Sequence, residues 1–222
     1  HVVQILDYGV DDGSPYIAME LLEGEDLRAR LERCVKLPLL IASHILTQSC
    51  RALRLAAEAG IIHRDLKLAN VLQDLNGVPI IADFGLAHLQ DRRTRLTEAG
   101  DLLGTPLYMA PEVILRDDEG FDARCDVYSL GVMAYRMIVG EFPYYSKIPT
   151  HLFQLVVEAD LKLPEELSED TKAILDRALA RYPEARYQDS HELADDRRAL
   201  ANGERVNARR QTTEERLRRW IA

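Results

Sequence analysis

Ten residues constrain this chain more than any other feature: Ile61-Ile62-His63-Arg64-Asp65-Leu66-Lys67-Leu68-Ala69-Asn70. A chain of this length would show His, Arg, Asp and Asn at these offsets by chance about once in a thousand. Two further short motifs follow in order, Ala82-Asp83-Phe84-Gly85 and Ala110-Pro111-Glu112, and together they remove coincidence as an explanation. The plain alternative for the first motif alone is a capped turn in which His63 and Asp65 serve only the backbone.

The elements around these motifs predict an α+β chain with a little sheet first and many helices afterwards. Val2 to Gly9 is an apolar, β-branched run, the segment from Asp11 to Pro15 reads as a turn, and Tyr16 to Leu22 is a second run, so a hairpin is expected. Glu23-Gly24-Glu25 breaks the strand, and Asp26 is placed to N-cap a helix through Arg33. From Leu39 to Ala59 the apolar residues fall near helical spacing and Gly60 closes the run, which predicts a long buried helix. A second buried helix is expected from Asp126 to Val139, capped by Gly140, and the chain beyond reads as helical with breaks at Pro149, Pro164 and Pro183.

The 222 residues suffice for one good-sized core. A net charge of −9 argues against a nucleic-acid footprint over the surface. The charge is uneven: from Arg197 onward there are eight Arg against three Glu, which leaves −14 on residues 1–196. That basic end reads as an interaction segment, a lead-in to a membrane or a solvated helix face. Cys34, Cys50 and Cys125 are odd in number and widely spaced, as expected of thiols in a reducing cytoplasm.

The three motifs resemble the HRD catalytic loop, the DFG segment and the APE motif of protein kinases, in order and at the right separations. The resemblance implies a kinase-like fold with a mostly helical C-lobe, and transfer of the γ-phosphoryl group of ATP to a protein serine or threonine. Asp65 would accept or orient the substrate hydroxyl proton, and Asn70 and Asp83 would hold two Mg²⁺ ions. Lys67 would reach the γ-phosphate, a serine/threonine-type feature, and Thr105 would hydrogen-bond the Asp65 and Lys67 pair. By the same resemblance residues 1–26 are a remnant of the N-lobe and hinge, residues 27–196 the C-lobe, and residues 197–222 a basic tail.

In the remnant, Met19 would be the gatekeeper, Glu20 and Leu22 would bond the adenine edge, Asp26 would reach the ribose, and Leu72 and Ala82 would floor the pocket. His63 and Phe84 take structural parts, Asp126 would fix the HRD backbone from below, and Arg186 would pair with Glu112. Arg64 before the catalytic Asp implies a switch in which a phosphothreonine pairs with it, Thr97 matching the usual position better than Thr94. Leu68 stands where Pro is usual and Ala69 replaces a more polar residue. No Gly-rich loop, strand Lys or helix Glu precedes His1, so a chain cut from a longer protein is expected.

The tail resembles the segment that follows the catalytic domain in bacterial receptor-type kinases. It leaves room for a membrane anchor in the longer protein, while the kinase resemblance itself implies protein substrates as partners and allows dimerisation for trans-phosphorylation. An ordinary terminal helix, with Leu217, Trp220 and Ile221 as its apolar edge, is the alternative. Two other functional readings remain: a catalytically silent kinase-fold fragment that binds partners, and a small-molecule phosphotransferase, which would lack the APE segment and Thr105.

Overall fold

A computed structural model describes residues 1–84, 105–115 and 122–209 of the chain, Thr105 by its backbone only. The first elements form a hairpin, β1 (Ile5–Asp11) antiparallel to β2 (Ser14–Met19). Its turn is tighter than expected because Asp12 and Gly13 both take positive φ, at 47° and 81°, as a two-residue hairpin connection of this twist requires. The strands are also offset from their expected bounds. His1 to Val3 pair elsewhere, and beyond Met19 the Glu20 amide still donates to the Gln4 carbonyl while Leu21 turns out to 93% exposure.

The second sheet has the order β3 (Gly24–Asp26), β4 (Val71–Asp74), β5 (Pro79–Ile81), all antiparallel. The start of the chain lies alongside β5: the Val3 amide donates to the Ile81 carbonyl at 3.0 Å and the Ile81 amide to the His1 carbonyl at 2.8 Å. Gly24 sits at φ 155° against β4, and a Cβ there would lie 1.9 Å from the Gln73 carbonyl oxygen. Only a residue without a side chain allows this approach.

Helix α1 (Leu27–Cys34) begins where Asp26 predicts, with the Asp26 carboxylate accepting from the Ala29 amide at 2.9 Å. Helix α2 (Leu39–Glu58) buries Ala42, Ile45, Leu46, Cys50 and Leu53 along one stripe. A short α3 (Pro111–Leu115) precedes α4 (Arg124–Val139), which is buried on every side and forms the axis of the helical part. Around it stand α5 (Pro149–Glu158), α6 (Glu169–Ala178) and α7 (Ser190–Ala201). At Gly131 of α4 an added Cβ would lie 3.0 Å from the Ala178 Cβ, so the helices meet almost backbone to backbone.

The boundary expected at residue 196 falls inside α7, where Asp196 and Arg197 are both fully buried. Asp196 accepts hydrogen bonds from the Tyr187 hydroxyl and from the amides of Asn207 and Ala208, and Val206 is buried beside it. The packed body therefore continues past the start of the basic end, because a buried carboxylate needs those donors. The three thiols are unbridged, with Cys50 and Cys125 buried and Cys34 exposed. Among the described residues no helix is long and apolar enough to cross a membrane.

Candidate active site

The site is assembled where α2 ends. Gly60, at φ 76°, turns the chain out of the helix, and the residues that follow run beneath the second sheet. Asp126, in the first turn of α4, holds them: its carboxylate accepts the His63 amide at 2.8 Å and the Arg64 amide at 2.9 Å. Burial pushes the Asp126 carboxyl above the ordinary range, and these two amide donors oppose that shift. Arg64 itself sits at φ 65°, a strained conformation for a residue with a side chain, and the two anchored amides keep it there.

From this anchored turn the polar side chains project together. The Lys67 ammonium lies 3.0 Å from the Asp65 carboxylate, both side chains being largely covered. The Asn70 Nδ2 donates to the Asp65 carbonyl at 3.0 Å, which fixes the amide plane and leaves Oδ1 as the acceptor. Asn70 leads into β4 and Ala82 leaves β5, so the two ends of one antiparallel pair meet and the Ala82 amide donates to the Asn70 carbonyl at 2.9 Å. Asp83 follows immediately, exposed and at φ 63°. His63, fully buried, has Nε2 2.9 Å from the Ala82 carbonyl and its ring 4.8 Å from that of Phe84.

The donor set suits a hard cation that brings further ligands with it. Among the described residues no cluster of three or more His, Cys, Asp or Glu could hold a metal ion by itself. Asn70 Oδ1 and the Asp83 carboxylate are instead two oxygen donors, the number that Mg²⁺ takes from a protein when phosphate and water complete its shell.

In the second sheet Asp26 pairs with Leu72 across β3 and β4, and Ala82, next after β5, is buried. Asp26 uses Oδ1 for the helix cap. Met19 is 42% exposed at the end of β2, Leu22 is half-buried, and the Glu20 carboxylate accepts from the Gln4 amide at 2.8 Å. Thr94 and Thr97 lie outside the described residues, as does the Thr105 side chain, and so do Leu217, Trp220 and Ile221.

Below the site, Arg186 grips Glu112 through two bonds of 2.7 Å, with no exposure of its own side chain. It also donates to the carbonyls of Ala180 and Arg181, so the guanidinium is satisfied on several sides. One contact had no role assigned from sequence: the Ser129 hydroxyl, one turn along α4 from Asp126, donates to the Tyr108 carbonyl at 2.9 Å. A hydroxyl within the apolar run from Val127 to Ala134 was the available signal.

The sequence pattern of the protein kinase domain matches residues 1–196. The chain belongs to the protein kinase domain family. It is 34% identical over 203 residues to the serine/threonine-protein kinase PknB of Mycobacterium leprae, covering 88% of this chain and 32% of that protein. With PknB of Mycobacterium tuberculosis it shares 35% identity over 195 residues, 86% of this chain and 31% of the relative. With the serine/threonine-protein kinase PknA of Mycobacterium tuberculosis the figure is 33% over 210 residues, 92% of this chain and 48% of the relative. This kinase domain chain thus spans from under a third to about half of the length of these curated relatives. Its fold is that of a bacterial kinase of the eukaryotic-like type, with small sheets and a mainly helical body.

Proposed function

We propose that the chain is the larger part of the catalytic domain of a serine/threonine protein kinase that transfers the γ-phosphoryl group of Mg·ATP to serine or threonine hydroxyls of proteins. The observation that carries this reading is the Asp65–Lys67 pair at 3.0 Å, joined to Asn70 on a loop that Asp126 holds from below. Phosphoryl transfer asks a protein for position and charge compensation rather than covalent chemistry. Asp65 orients the substrate hydroxyl and takes its proton as the oxygen attacks. Lys67 supplies positive charge where the transferred group gathers negative charge.

Asn70 and Asp83 hold Mg²⁺, which when bound neutralises the phosphate oxygens. Met19, Glu20 and Leu22 border the adenine, Asp26 the ribose, and Leu72 and Ala82 the pocket floor. Thr105 would steady Asp65 and Lys67, and phosphorylation at Thr97 or Thr94 would pair with Arg64 to order the intervening segment. In this reading residues 1–26 belong to the N-lobe and hinge and the helices from α1 onward to the C-lobe. The catalytic domain works on the cytoplasmic side, with a membrane anchor and dimerisation for trans-phosphorylation as features of the longer protein.

The test is γ-phosphate transfer to a generic basic protein by the chain extended with its natural upstream sequence. Wild type should label the substrate and Asp83→Ala should lower the rate at least a hundredfold. Equal labelling by both would overturn the enzymatic reading and favour a silent binding module.

A further inference from the structure

A cleft of about 360 Å³ opens between the last turns of α2 and the first turns of α4 and α7, and neither Asp65 nor Lys67 lines it. That volume falls in the range that accommodates a small ligand or a large side chain. Leu53, Ala57 and Ala123 give it an apolar lining, and Glu58 and Asp189 place carboxylates at its border. Arg54 also lines it but spends its guanidinium on Glu58 at 2.8 Å. One wall is Asp126, the residue that holds the His63 and Arg64 amides.

The chemistry that fits is an apolar group carried on a basic segment, and this chain contains one. Residues 216–222 read Arg-Leu-Arg-Arg-Trp-Ile-Ala, with Leu217, Trp220 and Ile221 at the i, i+3 and i+4 positions of one helical face and three arginines beside them. The segment is also within reach. The amide of Ala208 is bonded to Asp196, seven residues along α7 from Asp189 and therefore about 10 Å away at the rise of a helix. Residues 210–215, extended, span about 20 Å.

We propose that this cleft is the docking site for the chain's own basic end, residues 216–222, with Trp220 as the buried anchor. Docking of an amphipathic helix by its apolar face is a recurrent mode of recognition, and here the charges are complementary. A filled cleft abuts Asp126, which places the end of the chain against the anchor of the catalytic loop.

The chain carries a single tryptophan, so its own fluorescence reads the site. In the intact 222-residue chain, iodide quenching of Trp220 should be at least threefold weaker than in the free peptide of residues 210–222. Ala57→Arg, which obstructs the cleft and repels the segment, should restore peptide-like quenching, and Asp189→Asn, which keeps the helix cap but removes charge, should restore part of it. Circular dichroism and the thermal midpoint establish that each variant is folded. Peptide-like quenching in wild type, or quenching unchanged by Ala57→Arg in a folded variant, would overturn the proposal. So would protection that disappears on dilution, which would assign the cleft to a second copy.

Discussion

Asp126 and His63 meet in a hydrogen bond of 2.8 Å that ties the first turn of the most deeply buried helix to the backbone of the polar loop. The second carboxylate oxygen of Asp126 does the same for Arg64, whose left-handed conformation carries strain. One side chain thus positions the segment that displays Asp65, Lys67 and Asn70, while taking no place among them.

Asp126→Asn should separate this anchoring from simple packing. The amide has nearly the same volume but only one acceptor, so one of the two loop amides would face an NH₂ group. A buried donor left in that state costs about 1–3 kcal/mol. Hydrogen exchange at the His63 and Arg64 amides should accelerate by at least tenfold while the α4 core amides stay protected. Unchanged exchange at both would mean that the loop is held by other contacts.

Two buried arginines should respond in opposite ways to the same substitution. Arg186 is paired with Glu112 and three carbonyls, so Arg186→Met strands a carboxylate and should cost about 3–5 kcal/mol in urea unfolding. Arg197 is fully buried, burial pulls its guanidinium down to about 10, and its three side-chain nitrogens have no hydrogen-bond partner among the described residues. Arg197→Met should be neutral or stabilise the fold, by up to about 4 kcal/mol. A loss comparable to that of Arg186→Met would reveal a partner for Arg197.

Gly24→Ala should be costly although the residue is exposed. The new Cβ would meet the Gln73 carbonyl oxygen at 1.9 Å, and φ 155° is unfavourable for alanine. Strand β3 must then part from β4, at about 1–3 kcal/mol. Because Asp26 lies opposite Leu72 in that pair, nucleotide binding by the upstream-extended chain should weaken as well. An unchanged urea midpoint would contradict this account.

Stability should fall from about pH 8.5 towards pH 10. Burial pushes the Cys50 thiol up to about 12 and the Cys125 thiol further still, whereas a thiol in the unfolded chain ionises near 8.5. The folded state therefore holds protons that the unfolded state loses, and each thiol removes about 1.4 kcal/mol per pH unit once the pH is above the unfolded value. Arg197 acts with the opposite sign, but only above about 10. Chemical unfolding at pH 8, 9 and 10 reads the slope, and Cys50→Ala should flatten it by one proton; a slope of zero in wild type would refute the assignment.

The legible part of the sequence was whatever depends on near neighbours along the chain. The Asp26 cap, the buried stripe of α2 and the Gly140 terminus of α4 follow from spacing and local chemistry, as does the hairpin around Asp12-Gly13. The pairings of Asp126 with the loop and of Arg186 with Glu112 join residues 62 to 74 positions apart, and they were reached through resemblance to a family rather than through pattern. What sequence left out depends on three-dimensional proximity with no periodic trace: His1 to Val3 beside β5, Ser129 against Tyr108, and the Asp196 clamp on Asn207 and Ala208. The expected limit at 196 lies within α7 for the same reason, since a switch from acidic to basic composition says nothing of whether a helix has ended.

Helix α4 reaches its surroundings at successive turns: Asp126 to the polar loop, Ser129 to Tyr108, Gly131 to α6, and Arg136 to the Val35 carbonyl. Each outlying segment is thereby surveyed from one common datum instead of from its neighbour. Placement errors in such a scheme do not accumulate from loop to loop, and an insertion in one connection can be absorbed without misaligning the others.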